Sequence, residues 1–525
     1  MTTLGGQLRL MTVPIGGGPL ARSGQADDAP PGWFTPAPTT VEAWRERANA
    51  VRDQVPTSWL QALSPAFDAT GAAKARLTSA AEGRGVVVTT GQQPGLFGGP
   101  LYTWTKAVTV RALADELQQS LGIPVAPVFW AATDDSDFAE GAATVVNVAG
   151  GCRELRLTSA APAGVSVSHI PIGEVQGLVD ELTRACGSGA DPRALEAVRR
   201  AYHPGATVGS AYLALLRELL EPLGVAVLDA AHPATRLAAH SLYVHALRRA
   251  DDVQAALVDR VAEIRSAGFE PQVSDMDELS LVFDHREGRR TRIPRRDAAE
   301  RASSAVPGSL SPNVLLRPVA ERQILPTVSY AAGPGEFAYF AQVSAVAKAL
   351  DAAAPLAVPR WSATIIEPHV DRLLARYELT VEALENPHGV ARRLSERATP
   401  SDLSQSVEAM REQLTASAQS LRAALRGHDG LVPENTVDAI ERAIAWRLDR
   451  FERRLRAGVR RHDATLAHDL GTLGGALFPN GTRQERALNV VPLLVRHGLG
   501  LLDRMTEEAR GHARRLVQGS NTRGA

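Results

Sequence analysis

The sequence predicts an α/β protein with a doubly wound parallel core, inserted connecting segments and a C-terminal antiparallel α-helical coiled coil. Three observations predict it. Strand-like apolar runs alternate with helix-length segments from Val86 onward. Glycine-rich turns follow two of those runs, at Gly91–Gly99 and Gly333–Gly335. Two apolar series of heptad spacing lie in the C-terminal quarter.

Residues 1–40 read as an irregular arm, and 41–80 as helices. The first helix follows Thr39-Thr40 and carries Val41, Trp44, Ala48 and Val51 at helical spacing. Gly85–Thr90 then reads as a strand, Leu101–Ser120 as a helix and Ile123–Ala132 as a second strand. This is one βαβ unit, which implies parallel strands and a right-handed crossover. The order recurs as the helix Ser210–Leu220 and the strand Val225–Leu228, ending at Asp229. It recurs again as the strand Thr327–Ala332, the turn Gly333–Gly335, the helix Phe337–Leu350 and the strand Leu356–Pro359. Leu279–Phe283 and Arg290–Ile293 flank the turn His285–Gly288 as a hairpin.

We divide the chain accordingly. An arm with helices occupies 1–80, and the core occupies 81–144, 206–267 and 306–395. Insertions occupy 145–205 and the β-rich 268–305, a coiled-coil hairpin 396–465, and a C-terminal helical segment 466–525. In the hairpin, Leu403, Val407, Met410, Leu414, Ala418, Leu421 and Leu425 form one seam. Val437, Ile440, Ile444, Leu448, Phe451, Leu455 and Val459 form the other, and Gly427–Pro433 is the loop between. Such a hairpin either packs on the core or projects as a dimerisation arm.

Composition bounds the function. A chain of 525 residues, 44% hydrophobic and 22% charged, is that of a globular protein of about two to four domains. A net charge of −1 argues against a general binder of nucleic acid or acidic membranes. Lysine occurs only at Lys74, Lys106 and Lys348, so neither a Walker loop nor a Lys-x-x-Lys signature is present. Cys152 and Cys186 make no disulfide framework or zinc cluster, and suit a reducing cytoplasm. No signal peptide and no apolar run of about 18 residues is seen.

Three segments carry chemistry, and a fourth reads as structural. The loop Gly91–Pro100 ends at a helix N-terminus, so its backbone N–H groups suit an anion. Gln92 and Gln93 add donors and acceptors, and Lys106 adds a charge one turn into the helix. Thr133-Asp134-Asp135-Ser136-Asp137 follows the second strand, on the same sheet edge as the loop. Its carboxylates could bind an ammonium, hold a divalent metal or act as a general base. Gly333-Pro334-Gly335-Glu336, with Tyr339 on the same helical face, should reach that edge too. Arg317 and Arg360 flank this unit, each suited either to a ligand carboxylate or to a structural salt bridge. Leu477–Gly481 with Gln484-Glu485-Arg486 reads as a turn entering a docking helix without a catalytic role.

Together, in this order, Val86–Phe138, Leu310–Glu367 and Leu477–Asn489 resemble the BshC family, the cysteine-adding enzymes of bacillithiol biosynthesis. The resemblance implies a Rossmann-like core of the class I synthetase type, and a coiled coil that dimerises the protein. The implied reaction joins cysteine to glucosaminyl malate through an amide. The resemblance leaves room for ATP or another nucleotide, and for Mg2+. The residues matching the first motif are Gly91, Gln92, Gln93, Gly98, Gly99, Tyr102 and Lys106. Asp135 and Asp137 match the second, and are the implied catalytic residues. Gly333, Pro334, Gly335, Glu336, Tyr339 and Arg360 match the third. The family usually reads Glu-Asp-His-Asp where this chain has Asp134-Asp135-Ser136-Asp137. Losing that histidine removes a candidate acid or base, and motivates an alternative: a dimeric protein of this fold that binds a nucleotide or metabolite without catalysis.

Overall fold

Five parallel strands form the central sheet: β1 (Val86–Gln92), β2 (Val125–Ala131), β3 (Ala226–Asp229), β4 (Thr327–Ala332) and β5 (Ala357–Pro359). The computed structural model describes residues 8–519, apart from 275–276, 287, 429–430, 434 and 463, and apart from the side chains of 398 and 459–462. β1 and β2 are apolar runs buried on both faces, as parallel strands between helical layers must be. They pair in register from Val86 opposite Val125 to Gln92 opposite Ala131. Their crossover, α1 (Leu101–Leu121), is buried on nearly every face and packs against the helix Gly500–Gln518.

The sheet order is β5-β4-β1-β2-β3. The chain builds outward through β2 and β3, then returns to add β4 on the other side of β1. The order therefore reverses between β1 and β4, and a crevice opens there beyond the carboxyl ends of the strands.

Element limits differ from expectation for local reasons. The helix α2 (Val208–Leu220) starts before Ser210 because Thr207 and Ser210 cap it reciprocally. Gly333–Gly335 is not a free turn. Gly333 is the N-cap, and Pro334 opens the helix α3 (Pro334–Ala349), where a missing N–H costs nothing. The expected hairpin is present as Leu279–Arg286 paired with Arg289–Pro294, and Leu310–Pro312 extends it to three antiparallel strands. Glu287, in its turn, lies outside the described residues.

The chain divides into two compact units. One contains Leu10–Val146, Glu154–Ile365 and the chain from Gln484, and holds the sheet. The other contains Asn147–Arg153 and Ile366–Arg483, with the chain up to Arg9. In the second unit α4 (Ser401–Leu425) and α5 (Asn435–His462) run antiparallel. Arg422 pairs with Asp438 and Glu441 near the loop, while Arg411 pairs with Asp449 and Glu452 further along. Only part of the expected seam is covered. Val407, Ala418, Val437 and Leu448 are buried, whereas Leu403, Met410, Leu421, Ile440, Ile444 and Phe451 are exposed. Two helices cover one side of each other's apolar stripe and leave the rest open. The side chain of Val459 lies outside the described residues. Among the described residues no helix is long and apolar enough to cross a membrane.

Candidate active site

A cavity of about 570 Å³ lies at the crevice between β1 and β4. The strand ends bring three of the expected segments to it: Gly91-Gln92-Gln93 from β1, Asp134-Asp135-Ser136 from beyond β2, and Gly333–Glu336 from beyond β4. Tyr102, Lys106, Tyr339 and Arg360 also line it. Gly98, Gly99 and Asp137 do not.

Lys106 is only 3% exposed and is fully engaged by the protein. Its Nζ donates to the Gly91 carbonyl at 2.7 Å and to Gln92 Oε1 at 2.8 Å, and pairs with Glu336 Oε2 at 2.6 Å. Glu336 also accepts from the Gly333 N–H at 2.7 Å and from the Tyr330 hydroxyl at 2.6 Å. Burial pushes the Glu336 carboxyl up, but Lys106 and Arg317 outweigh it and hold the group below its ordinary value. Burial pulls Lys106 down, with Glu336 partly offsetting it. This pair ties the end of β1 to the start of α3. Gly91 packs tightly beside it: a Cβ there would sit 3.1 Å from the Trp130 carbonyl and 3.2 Å from the Tyr330 hydroxyl, so a side chain would press on both.

The far end of the glycine loop turns its N–H groups to the protein and not to the cavity. The N–H groups of Gly98 and Gly99 donate to the Gly95 and Leu96 carbonyls, and that of Leu101 donates to the Leu488 carbonyl at 2.8 Å. Asn489 staples the loop from the far end of the chain. Its Nδ2 lies 3.3, 3.0 and 3.2 Å from the carbonyls of Leu96, Phe97 and Gly99, to which it donates. The glycines serve the turn itself, with φ of +87° at Gly98 and +72° at Gly99.

The acidic segment is split by its geometry. Asp134 is 7% exposed, and its nearest cation is Arg290 Nη2 at 3.7 Å. Burial pushes its pKa up, Arg290 opposes this, and Asp135 and Asp229 add to the rise. Asp135 accepts from Gln93 Nε2, from the Ser136 N–H at 2.6 Å and from Arg290 Nη1 at 3.5 Å. Asp137 instead caps the short helix Phe138–Gly141, accepting from the Glu140 N–H at 3.2 Å.

Arg360 lines the cavity, yet its fork is occupied, which corrects the expectation of a ligand carboxylate there. Nη1 and Nη2 each meet a Glu485 oxygen at 2.8 Å, with Arg360 2% and Glu485 4% exposed. Arg317 is held by Glu321 at 3.1 Å and donates to the hydroxyls of Tyr330 and Tyr339 at 3.2 and 3.1 Å. Tyr102 accepts from Gln92 Nε2 at 3.4 Å, and burial pushes its hydroxyl pKa up.

Sequence reasoning missed three contributions. The hairpin of the second insertion supplies Phe283, Arg290 and Arg292, with the Arg290 guanidinium 4.0 Å above the Phe283 ring. The segment read as purely docking supplies Arg486 to the lining and Asn489 to the loop. Asp134, by contrast, belongs to the acidic segment that the sequence singles out.

The lining carries six cations (Lys106, Arg290, Arg292, Arg317, Arg360 and Arg486) against three carboxylates (Asp134, Asp135 and Glu336), and after Glu321 and Glu485 neutralise Arg317 and Arg360 from behind, a small positive excess is left that suits a ligand with negative charge. No group of three or more His, Cys, Asp or Glu side chains able to hold a metal occurs among the described residues.

Known proteins resemble the chain over most of its length. Residues 32–361 match the family model described as bacillithiol biosynthesis BshC, N-terminal Rossmann-like domain. Residues 363–515 match the model of the BshC C-terminal coiled-coil domain. A protein of Solibacter usitatus is 34% identical over 444 residues, covering 81% of this chain and 82% of its own length. One of Koribacter versatilis is 31% identical over 483 residues, covering 87% and 88%. One of Heliobacterium modesticaldum is 31% identical over 470 residues, covering 81% and 82%. All three bear the name "Putative cysteine ligase BshC". With both domain models and relatives of this extent in agreement, the chain belongs to the BshC family of bacillithiol biosynthesis ligases.

Proposed function

We propose that this ligase joins the cysteine carboxyl group to the amine of glucosaminyl malate as an amide, with ATP or another nucleotide activating the carboxylate. The observation that carries this reading is the cavity at the β1/β4 reversal. It sets two adjacent aspartates against a surplus of arginine. Cysteine brings an ammonium for the aspartates, and the malate end of the acceptor brings two carboxylates for the arginines. Asp135, held by Gln93 and the Ser136 N–H, is positioned to grip the ammonium. Asp134, with its raised pKa, suits removal of a proton from the attacking amine. Mg2+ would arrive with nucleotide phosphates, as it commonly does.

The site residues, the dimer and the cytoplasmic setting belong to the same proposal. The open apolar face of the helical hairpin suits a second copy, and the two free cysteines suit a reducing compartment. A second reading is favoured by Ser136, which lines the cavity and offers no titratable group where the family resemblance implies a histidine. On that reading the protein binds its ligand without turnover. Purified protein with cysteine, glucosaminyl malate and ATP/Mg2+ decides between them. Mass spectrometry should detect the cysteinyl product; ligand binding with no product would favour the second reading.

A further inference from the structure

Arg486 occupies a position unlike the other cations of the cavity. Lys106 faces Glu336, Arg360 faces Glu485, Arg317 faces Glu321, and Arg290 faces Asp134 and Asp135. Arg486 lines the same cavity, is exposed, and has no side-chain hydrogen bond or ion pair among the described residues. Its field reaches Tyr102 and Glu140, in both cases opposing the rise that burial causes.

Its neighbours in the chain are nevertheless firmly held. The neighbouring Gln484 accepts from the Ile365 N–H and donates to the Ile365 carbonyl, both at 2.8 Å. Glu485 grips Arg360 and accepts from the Ser362 hydroxyl at 2.8 Å. Three residues on, Asn489 is anchored to the glycine loop. The helix Gln484–Ala487, held this firmly, fixes the backbone from which the Arg486 guanidinium reaches the cavity. Preorganisation of this kind lowers the cost of binding, and a guanidinium matches a carboxylate or phosphate with two parallel hydrogen bonds.

We propose that Arg486 anchors the anionic group of the ligand in this cavity, replacing Arg360, whose fork Glu485 occupies. The proposal deepens the ligase reading and rests on it for the identity of the ligand. The anion is either a carboxylate of the malate end or a phosphate of the nucleotide, and two binding arms separate them.

Malate and ADP are titrated separately by calorimetry into wild-type protein, Arg486→Ala and Arg486→Lys. The expected result is that wild type binds at least one of the two, and that Arg486→Ala weakens that binding about tenfold or more, about 1.4 kcal/mol. Arg486→Lys should recover part of the loss, since a point charge replaces a fork. Loss of malate binding assigns the malate end, and loss of ADP binding assigns the phosphates. The melting temperature of Arg486→Ala should equal that of wild type, which separates anchoring from a structural role. Unchanged affinity for both anions in Arg486→Ala overturns the proposal, as does a wild type that binds neither. Product formation is scored separately: a wild type that binds malate through Arg486 yet forms no product would sink the ligase reading and leave the anchor standing.

Discussion

Arg360 and Glu485 form a two-toothed ion pair, 2.8 Å on each tooth, with both side chains buried. The next residue in the chain, Arg486, lies in the cavity lining without such a partner. Adjacent positions thus divide structure from ligand binding. Glu485→Ala would leave a buried guanidinium uncompensated, and is expected to cost about 3–5 kcal/mol. Arg486→Ala should change stability by no more than about 0.5 kcal/mol. Chemical denaturation of the two variants side by side checks this; equal losses would refute the division.

The three aspartates beyond β2 should separate in kinetics. Asp134→Asn is expected to lower kcat about 10²-fold, because it removes the proposed proton acceptor. The acid limb of the wild-type kcat profile should lie above the ordinary carboxylate range, in the direction that burial moves Asp134. Asp135→Asn should mainly raise the KM for cysteine. Asp137→Asn should leave both constants unchanged, since asparagine caps a helix as well as aspartate does. A large kcat loss in Asp137→Asn would overturn these assignments.

Asn489 reaches the glycine loop across 390 or more positions of sequence. It offers an N–H2 group to three loop carbonyls and to Thr144 Oγ1 at 3.2 Å, and its Oδ1 accepts from the Val491 N–H at 2.9 Å. Asn489→Ala should cost about 1–3 kcal/mol, the penalty for leaving buried acceptors unmet. Asn489→Asp should cost more, because a carboxylate would face four oxygens and donate to none. Hydrogen exchange at Gly98, Gly99 and Leu101 should accelerate in both variants. Native protection there in Asn489→Asp would contradict the staple.

These cases show what a sequence can and cannot disclose. That Gly91, Asp135 and Gly333 share one edge was legible, because successive parallel strands must point the same way and their carboxyl ends must therefore coincide. The partner of a charge was not. Lys106 and Glu336 lie in separate segments, and only the fold makes them one pair. Arg360 matched a ligand-binding arginine in type and position, yet the carboxylate it meets lies 125 residues away in a segment with no strong pattern. Glycine content announced a demanding turn at Gly98–Gly99 but could not say whether its N–H groups face a ligand or the protein. The hairpin seam was legible as periodicity, whereas periodicity does not tell which half of the stripe its neighbour covers.

His285 should make stability depend on pH. Its Nε2 lies 2.6 Å from Ser311 Oγ, and burial, aided by Arg236 and Arg290, pulls its pKa down to about 3, with Asp284 opposing. The folded state therefore keeps the imidazole neutral where the unfolded chain, with an ordinary pKa near 6.5, takes up a proton. Above pH 6.5 the two states agree and no penalty exists. As pH falls from 6.5 towards 3 the unfolded state gains protons that the folded state refuses, and stability is lost. At pH 5 the loss is at most about 2 kcal/mol. His285→Gln should remove this dependence, so the wild type should weaken relative to the variant between pH 7 and pH 5. A constant difference across that range would show that the imidazole is not held neutral.

The exposed stripe of the helical hairpin sets the last test. Met410 is 57% exposed and Phe451 52%, and Ile440 and Ile444 stand one turn apart on α5. Apolar side chains clustered on an exposed helix face mark an interface more often than a solvated face. The residues that hold α4 to α5, among them Val407 and Leu448, are buried and separate from this stripe. Changing Ile444 and Phe451 together to glutamate should therefore leave the hairpin folded while burying charge in any contact with a second copy. Analytical ultracentrifugation should give a dimer for the wild type and a monomer for the double variant, with equal helical signal by circular dichroism. A monomeric wild type, or a dimer that survives both substitutions, would mean that this stripe does not join two copies of the chain.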